Sequence, residues 1–267
     1  MINPWYFIKN VQHSIRVCPT WSDRWNRLLW LYSDKLPSSA RSQRRKINFR
    51  YPSPVENLSM MVRDNHGSDA FIFSEVFDHR YYQLPLPFSP RTILDLGTNA
   101  GYTAVYFARV YPEARVACLE PMPENIAVLN ENLHLNRVKA DVFAAAAAVE
   151  DGHLAMTQDS HDYGHKVSGI PFGPPVNGKS FQVEAMTIPT VMSRLGWERI
   201  GLLKIDIEGY EGVLLKQRAE WLFRVDAICI ECHEGFGESD LKAIASTYGF
   251  HAPELLPGTW LLVRNRT

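Results

Sequence analysis

The chain has 267 residues, of which 46% are hydrophobic and 21% are charged, a composition typical of a soluble protein with a sizeable core. Its formal charge is -1, no apolar run is long enough to span a bilayer, and the N-terminus lacks the pattern of a secretory signal. Four cysteines are too few for a disulfide framework at this size, so we expect a cytoplasmic protein with one large domain and additions to it.

The near-zero net charge conceals a strongly basic N-terminal segment, which we predict to be a helical extension over residues 1–54. Residues 1–50 carry ten Lys or Arg against two Asp, a charge of +8, and the remainder carries 18 basic and 27 acidic residues, or -9. Four tryptophans accompany the basic residues: Trp5, Trp21, Trp25 and Trp30. Three interpretations are open: peripheral contact with an anionic membrane, attraction of phosphorylated substrates, or a solvated surface helix that covers the domain.

Residues 55–267 are expected to form the main domain, with residues 55–90 as a lead-in or cap. From residue 91 onward, short apolar strands alternate with segments of helical periodicity, which predicts an α/β fold with a mostly parallel sheet and helices on both faces. Residues 150–185 interrupt this alternation and are interpreted as an insertion at the rim of the substrate site. The last predicted element is an antiparallel hairpin over residues 254–263.

A glycine turn, DLGTNAGY, follows the first strand of the domain, where ligands bind in open α/β sheets. Gly97 and Gly101 allow close approach of a ligand to the backbone, and Glu120 ends the second strand, where a carboxylate can accept both ribose hydroxyl protons. Together they predict an adenosine site, for either S-adenosylmethionine (SAM) or a nicotinamide cofactor, although Asn99 occupies a position where the nicotinamide pattern needs glycine. The structural alternatives are a simple turn and a helix-capping carboxylate.

Acidic residues and a histidine end the next two strands. Asp206 and Glu208 lie in the run KIDIEGYE, and Glu231 and His233 end the strand after it. Such a group can hold a divalent cation or polarise a hydroxyl, and Asp206 and Glu231 are the candidate metal ligands. The alternative is that Glu211 and Glu234 are solvated and that only Asp206 and Glu208 lie inside the protein.

The runs DLGTNAGYTAVYFA, CLEPMPENIAVLNENLHLN and LLKIDIEGYEGVLL resemble the FkbM family of SAM-dependent methyltransferases over about residues 60–263. The resemblance implies a Rossmann-like class I methyltransferase fold, with Asp206 and Glu208 beside the transferred methyl group. It also implies that the acceptor is a hydroxyl of a sugar, glycan or polyketide-like small molecule. The cofactor contacts that we expect are Ser68, Asp69, Asp95, Gly97, Asn99, Gly101, Tyr102 and Glu120.

We therefore predict a SAM-dependent O-methyltransferase whose catalytic residues are Asp206, Glu208 and His233. Either His233 or Asp206 is expected to remove the acceptor proton, and His161 and His165 are further candidates. A divalent cation is an optional second cofactor. The alternatives are a non-catalytic SAM- or nucleotide-binding module whose basic arm docks on a membrane or partner, and an NAD-linked oxidoreductase. No nucleic acid is expected as a partner, because the basic residues lie outside the predicted catalytic domain.

Overall fold

The computed structural model describes residues 3–35, 44–65, 67–157, 166–167, 180–233 and 235–265. Within these ranges the helices are α1 (Pro4–Val17), α2 (Trp21–Leu31), α3 (Ser68–Phe73), α4 (Tyr102–Val110), α5 (Pro123–Leu135), α6 (Ile188–Leu195), α7 (Glu211–Lys216) and α8 (Glu238–Tyr248). The strands are β1 (Arg44–Arg50), β2 (Asn57–Arg63), β3 (Thr92–Leu96), β4 (Arg115–Leu119), β5 (Ala140–Phe143), β6 (Ala146–Ala148), β7 (Gly152–Thr157), β8 (Lys166–Val167), β9 (Ser180–Thr187), β10 (Leu202–Ile205), β11 (Ala227–Ile230), β12 (Glu254–Leu256) and β13 (Thr259–Val263). None of these helices is both long enough and apolar enough to cross a bilayer.

A seven-stranded sheet in the order β12-β13-β11-β10-β3-β4-β5 organises the domain. Strands β3, β4, β5, β10 and β11 are parallel, whereas β13 runs antiparallel to both β11 and β12. This confirms the predicted mostly parallel sheet and the C-terminal antiparallel hairpin. The strand order reverses between β3 and β10, so the crevice at their carboxyl ends is where such a sheet binds ligands.

Alternation of side chains along the central strands divides the core into two layers. On β3, Ile93 belongs to one hydrophobic cluster, which includes residues of α4 and α5, whereas Leu94 and Leu96 belong to another that includes residues of α6, α7 and α8. Successive residues of a strand point to opposite faces, so helices cover both faces of the sheet, as predicted. Two charged residues interrupt the first of these apolar faces: Asp95 on β3 and Lys204 on β10.

The N-terminal extension differs from the prediction, because it is not helical throughout. Residues 44–50 form strand β1, which pairs antiparallel with β2 in a two-stranded sheet. Ile47 and Phe49 point inward from β1 between polar neighbours, a period-two pattern that the density of basic residues obscures. The hairpin crosses residue 54, where we expected the extension to end, and its buried side chains join the same hydrophobic cluster as Ile93.

The predicted insertion over residues 150–185 and the residues that flank it contribute to a second sheet, in the order β6-β9-β7-β8. Residues 142–149, an apolar stretch rich in alanine, are divided between the two sheets, because β5 pairs with β4 and β6 pairs with β9. Strands β7 and β9 pair antiparallel, which is consistent with a hairpin-like insertion. The candidates His161 and His165 lie outside the described residues.

Candidate active site

A cavity of about 590 Å³ lies at the carboxyl ends of β3, β4, β10 and β11. This volume falls within the range of roughly 300 to 1,000 Å³ that is usual for small-molecule sites. Helix α3 and the short strand β6 contribute further parts of the wall. The cavity therefore occupies the point of strand-order reversal at which a ligand is expected.

The glycine turn between β3 and α4 forms one side of the cavity and needs glycine at both ends. Gly97 has a φ of 72°, and a Cβ added there would overlap the backbone carbonyl oxygen of Asp206. Gly101 has a φ of 82°, and its Cβ would lie 2.5 Å from Cδ1 of Leu129 on α5. The turn can therefore approach β10 and α5 only because neither position carries a side chain.

Glu120 lies at the end of β4 with its carboxylate among three hydrogen-bond donors. Its Oε2 accepts from the backbone N–H of Asn99 at 2.8 Å, and its Oε1 accepts from the N–H of Met122 and from Nδ2 of Asn125, both at 3.0 Å. Burial raises the pKa of Glu120 above its usual value, although these hydrogen bonds act in the opposite direction. The carboxylate thus connects the glycine turn to the start of α5 on the wall of the cavity.

Arg63, at the end of β2, connects the β1–β2 hairpin to this side of the cavity. Its guanidinium donates to Asp69 Oδ1 at 2.7 Å, to Asn99 Oδ1 at 2.8 Å and to Asn125 Oδ1 at 2.6 Å. Asp69 is fully buried and also accepts a hydrogen bond from the hydroxyl of Tyr102. The guanidinium therefore holds two asparagines that border Glu120, and the carboxylate of Asp69 holds the guanidinium.

Lys204 crosses beneath the glycine turn from the neighbouring strand β10. Its Nζ lies 3.3 Å from Asp95 Oδ1 and 3.5 Å from Asp206 Oδ2, and it donates to the carbonyl oxygens of Leu96 and Gly97 at 3.3 and 3.0 Å. The side chain is only 2% exposed. Burial alone would lower the pKa of Lys204, but the two carboxylates raise it above its ordinary value, so the ammonium is charged and paired.

The eight expected cofactor residues divide into two groups. Those on the cavity wall are Ser68, Gly97, Asn99, Tyr102 and Glu120. Asp69, Asp95 and Gly101 do not line the cavity, and their contact with a cofactor stays a prediction. Both aspartates are fully buried and are paired with Arg63 and Lys204, so their carboxylates support the wall from behind.

The other end of the cavity brings together all three predicted catalytic residues. His233 Nε2 lies 3.6 Å from Glu208 Oε2 and 3.9 Å from Asp206 Oδ1, and Glu231 also lines the wall. His233 Nδ1 is hydrogen-bonded at 2.8 Å to Oε1 of Glu211, which is fully buried rather than solvated. The buried carboxylate fixes the ring through Nδ1 and leaves Nε2 among the cavity-facing acids.

This end of the cavity is strongly acidic. Burial, together with the charge of Asp206, raises the pKa of Glu208 and of Glu231 to about 7, and burial with the charges of Glu231 and Asp206 does the same for Glu75. Burial disfavours the charged form of His233, but the hydrogen bond and charge of Glu211 outweigh it and raise the pKa to about 9. A cation bound here would therefore be favoured by the surrounding carboxylates.

The acids and the histidine also lie close enough together to bind a metal ion, but the set of possible ligands differs from the predicted pair, Asp206 and Glu231. Asp206, Glu208 and His233 each offer a ligand atom, and these atoms lie within 4.8 Å of one another, whereas Glu231 is not in the group. A metal ion binds only the neutral imidazole, so it would have to displace the proton of His233. The divalent cation therefore stays a prediction.

Five residues that shape the site were not predicted from sequence: Arg63, Glu75, Asn125, Lys204 and Glu211. A lone lysine in the apolar strand LLKI is a signal for a buried ion pair, and its parallel register opposite Asp95 would have identified the partner. Arg63 offers no such signal, because Asn99 and Asn125 lie 36 and 62 residues further along the chain.

Comparisons with known proteins agree with the sequence resemblance. Residues 95–251, more than half of the chain, match the family model described as Methyltransferase FkbM domain. The chain is 30% identical over 215 residues to Methyltransferase sdnD of Sordaria araneosa, which covers 67% of this chain and 81% of that protein. It is 25% identical over 227 residues to the 31-O-demethyl-FK506 methyltransferase FkbM of Streptomyces tacrolimicus, covering 73% and 87%. Among solved structures it is similar to the fibrillarin pre-rRNA processing protein of Methanococcus jannaschii, with 11% identity, 84% of each chain covered and a TM-score of 0.44.

Replacing Glu211 with glutamine tests the pairing of His233. Glutamine keeps the shape of the side chain but removes its charge, so the pKa of His233 should fall from about 9 toward the ordinary 6.5. An NMR titration of the histidine rings measures this shift directly. Because the folded-state pKa lies above the unfolded one, the stabilisation from protonated His233 is complete below pH 6.5 and is lost as the pH rises through 9.

The matched control for this titration is Asp226→Asn, which removes a carboxylate at the opposite end of β11, where it pairs with Arg199. That variant should leave the pKa of His233 at about 9. The pairing would be contradicted if the histidine titrated at the same pH in the Glu211→Gln protein as in the wild type.

Proposed function

The chain belongs to the FkbM methyltransferase family, and on that premise we propose that it transfers the methyl group of SAM to a hydroxyl of a small molecule. The observation that carries the proposal is a single cavity that joins the glycine turn and Glu120 at one end to Asp206, Glu208 and His233 at the other. A hydroxyl acceptor is supported by the relative from Streptomyces tacrolimicus, whose name specifies an oxygen of FK506 as its methylation site.

The residues of the cavity fit SAM in three respects. The glycine turn lies on the cavity wall, held against the backbone of Asp206 because Gly97 has no side chain, and the buried hydroxyl of Ser68 has no hydrogen-bond partner among the described residues. The acidic end complements a positively charged ligand. Ser68, Gly97, Asn99 and Glu120 would hold the cofactor, which when bound supplies an electrophilic methyl group on a sulfonium.

The acceptor hydroxyl must lose its proton as the new bond forms, and His233 is the better-placed base. Glu211 holds the ring through Nδ1, so that Nε2 is the nitrogen directed at the cavity, an arrangement typical of a carboxylate-oriented general base. Only the neutral imidazole can accept the proton, so turnover should increase as the pH approaches 9. Asp206 is the alternative base, and its carboxylate is already 3.5 Å from the ammonium of Lys204.

Apolar side chains on other parts of the wall favour an acceptor with apolar surface. The cavity is lined by Phe71 and Ile72 of α3, by Val76, and by Met156 of β7. Such side chains stabilise a ligand by removing apolar area from water. A polyketide-like acceptor therefore fits this wall better than an unsubstituted sugar.

Calorimetry with S-adenosylhomocysteine and with NAD tests the cofactor. The wild-type protein should bind S-adenosylhomocysteine and not NAD, and Glu120→Ala should weaken that binding by at least about tenfold, because hydrogen bonds to a charged group are lost. Glu124→Ala removes an exposed carboxylate from the first turn of α5 and is the matched control. Preference for NAD, or equal affinity in the Glu120 and Glu124 variants, would contradict the assignment.

A methyl-transfer screen over macrolide hydroxyls, glycans and nucleotide sugars tests the reaction. On an acceptor that is turned over, His233→Ala and Asp206→Asn should each lower turnover by at least about tenfold and leave S-adenosylhomocysteine affinity nearly unchanged. Parallel assays with magnesium and with a chelator decide the metal prediction, which fails if the two rates are equal. Full activity in both variants would show that neither residue is the base, and binding without turnover on any acceptor would favour the non-catalytic alternative.

A further inference from the structure

Helix α1 turns an apolar stripe away from the rest of the protein. Trp5, Ile8 and Ile15 follow one another at intervals of three and seven residues, so they share one face of the helix. Each is at least half exposed, whereas Ser14 and Val17 on the opposite face are buried. One face of the helix therefore packs against the protein, and the opposite face exposes apolar side chains that the described part of the chain does not cover.

Helix α2, which packs against α1, has the same construction. Its inner face carries Asp23, Arg27 and Trp30, all buried. Trp21 and Trp25, one helical turn apart, point outward, with 79% and 62% of their surface exposed. Large apolar side chains that are exposed next to one another are typical of an interaction surface, whereas single exposed ones are common on any protein.

The exposed charges on these two helices are all positive. Lys9 places its Nζ 3.4 Å from the ring centre of Trp5, and Arg24 stacks at 4.8 Å over the ring of Trp21. Between residues 4 and 31 the only acidic residue is Asp23, which is buried and accepts a hydrogen bond from the backbone N–H of Asn48. The tryptophans are thus interleaved with cations, and the helices expose no carboxylate.

We propose that these outer faces form a docking surface for an anionic lipid bilayer, and we call it the aromatic–basic surface. Its residues are Trp5, Ile8, Lys9, Ile15, Arg16, Trp21, Arg24 and Trp25. Tryptophan rings partition to the headgroup layer, isoleucines reach the acyl boundary, and each basic side chain near the membrane adds attraction to anionic lipids. The proposal concerns binding of the protein to a membrane surface and does not depend on the methyl-transfer reaction.

Charge complementarity selects this partner over a second copy of the chain. In a symmetric dimer the same patch contacts itself, so Lys9, Arg16 and Arg24 of both copies would be brought together without a carboxylate to pair with. Like charges placed opposite one another oppose association. A phosphatidylserine headgroup layer supplies the missing negative charge, and the aliphatic stripe has an apolar layer to enter.

Sedimentation of the full chain with lipid vesicles tests the proposal. The protein should pellet with vesicles of equal parts phosphatidylcholine and phosphatidylserine, pellet far less with phosphatidylcholine alone, and bind more weakly as salt is added. Trp5, Trp21 and Trp25 are exposed, whereas Trp30, Trp197 and Trp221 are buried. A blue shift of tryptophan fluorescence on vesicle addition would therefore report the exposed set.

Two variants separate the apolar and the charged contributions. Trp21→Ala combined with Trp25→Ala, and Lys9→Gln combined with Arg16→Gln, should each weaken partitioning by roughly tenfold or more. Leu255→Ala, which removes an exposed apolar side chain from β12, is the matched control and should bind as the wild type does. Thermal unfolding of each variant establishes that the replacements leave the fold intact.

The proposal is overturned if the protein pellets with neither vesicle type, or if the two double variants partition as strongly as the control. It is equally overturned if light scattering finds a dimer that the Trp21 and Trp25 replacements dissociate, because the surface would then belong to a second copy.

Discussion

Lys204 occupies the point where the two halves of the site meet, and its buried charge constrains both. An ammonium that is 2% exposed is stable only because Asp95 and Asp206 neutralise it and two carbonyl oxygens of the glycine turn complete its hydrogen bonds. Gly97 then fits beneath the backbone of Asp206 with no room for a side chain. One cation therefore positions both the glycine turn and Asp206, which we propose to lie beside the cofactor and the acceptor.

Elsewhere around the cavity, too, buried charged residues behind the wall orient the side chains that line it. Glu211 orients His233, and Arg63, itself held by Asp69, orients Asn99. These supporting residues carry charge, so their pairing is costly to break and the geometry that they impose is well defined. The apolar part of the wall can then accommodate different acceptors without disturbing the residues that we propose to bind the cofactor or to accept the proton.

Much of the fold and the cavity-facing residues could be predicted, because both depend on local pattern. Apolar strands that end in a glycine turn, in Glu120 or in Asp206 indicate a parallel sheet and its ligand edge from residues only a few positions apart. The supporting residues could not be predicted in the same way. Arg63 acts on side chains far along the chain, and β1 was interpreted as helical because its charges conceal the alternation of Ile47 and Phe49.

A double-mutant cycle in urea denaturation measures whether the charge of Lys204 couples the ends of β3 and β10. Lys204→Met and Asp95→Asn should each lower the free energy of unfolding by about 3–5 kcal/mol, because each leaves a buried partner uncompensated. The double variant should lose clearly less than the sum, since both partners are removed together. Single losses within about 0.5 kcal/mol of zero, or losses that simply add, would show that Lys204 and Asp95 are not coupled.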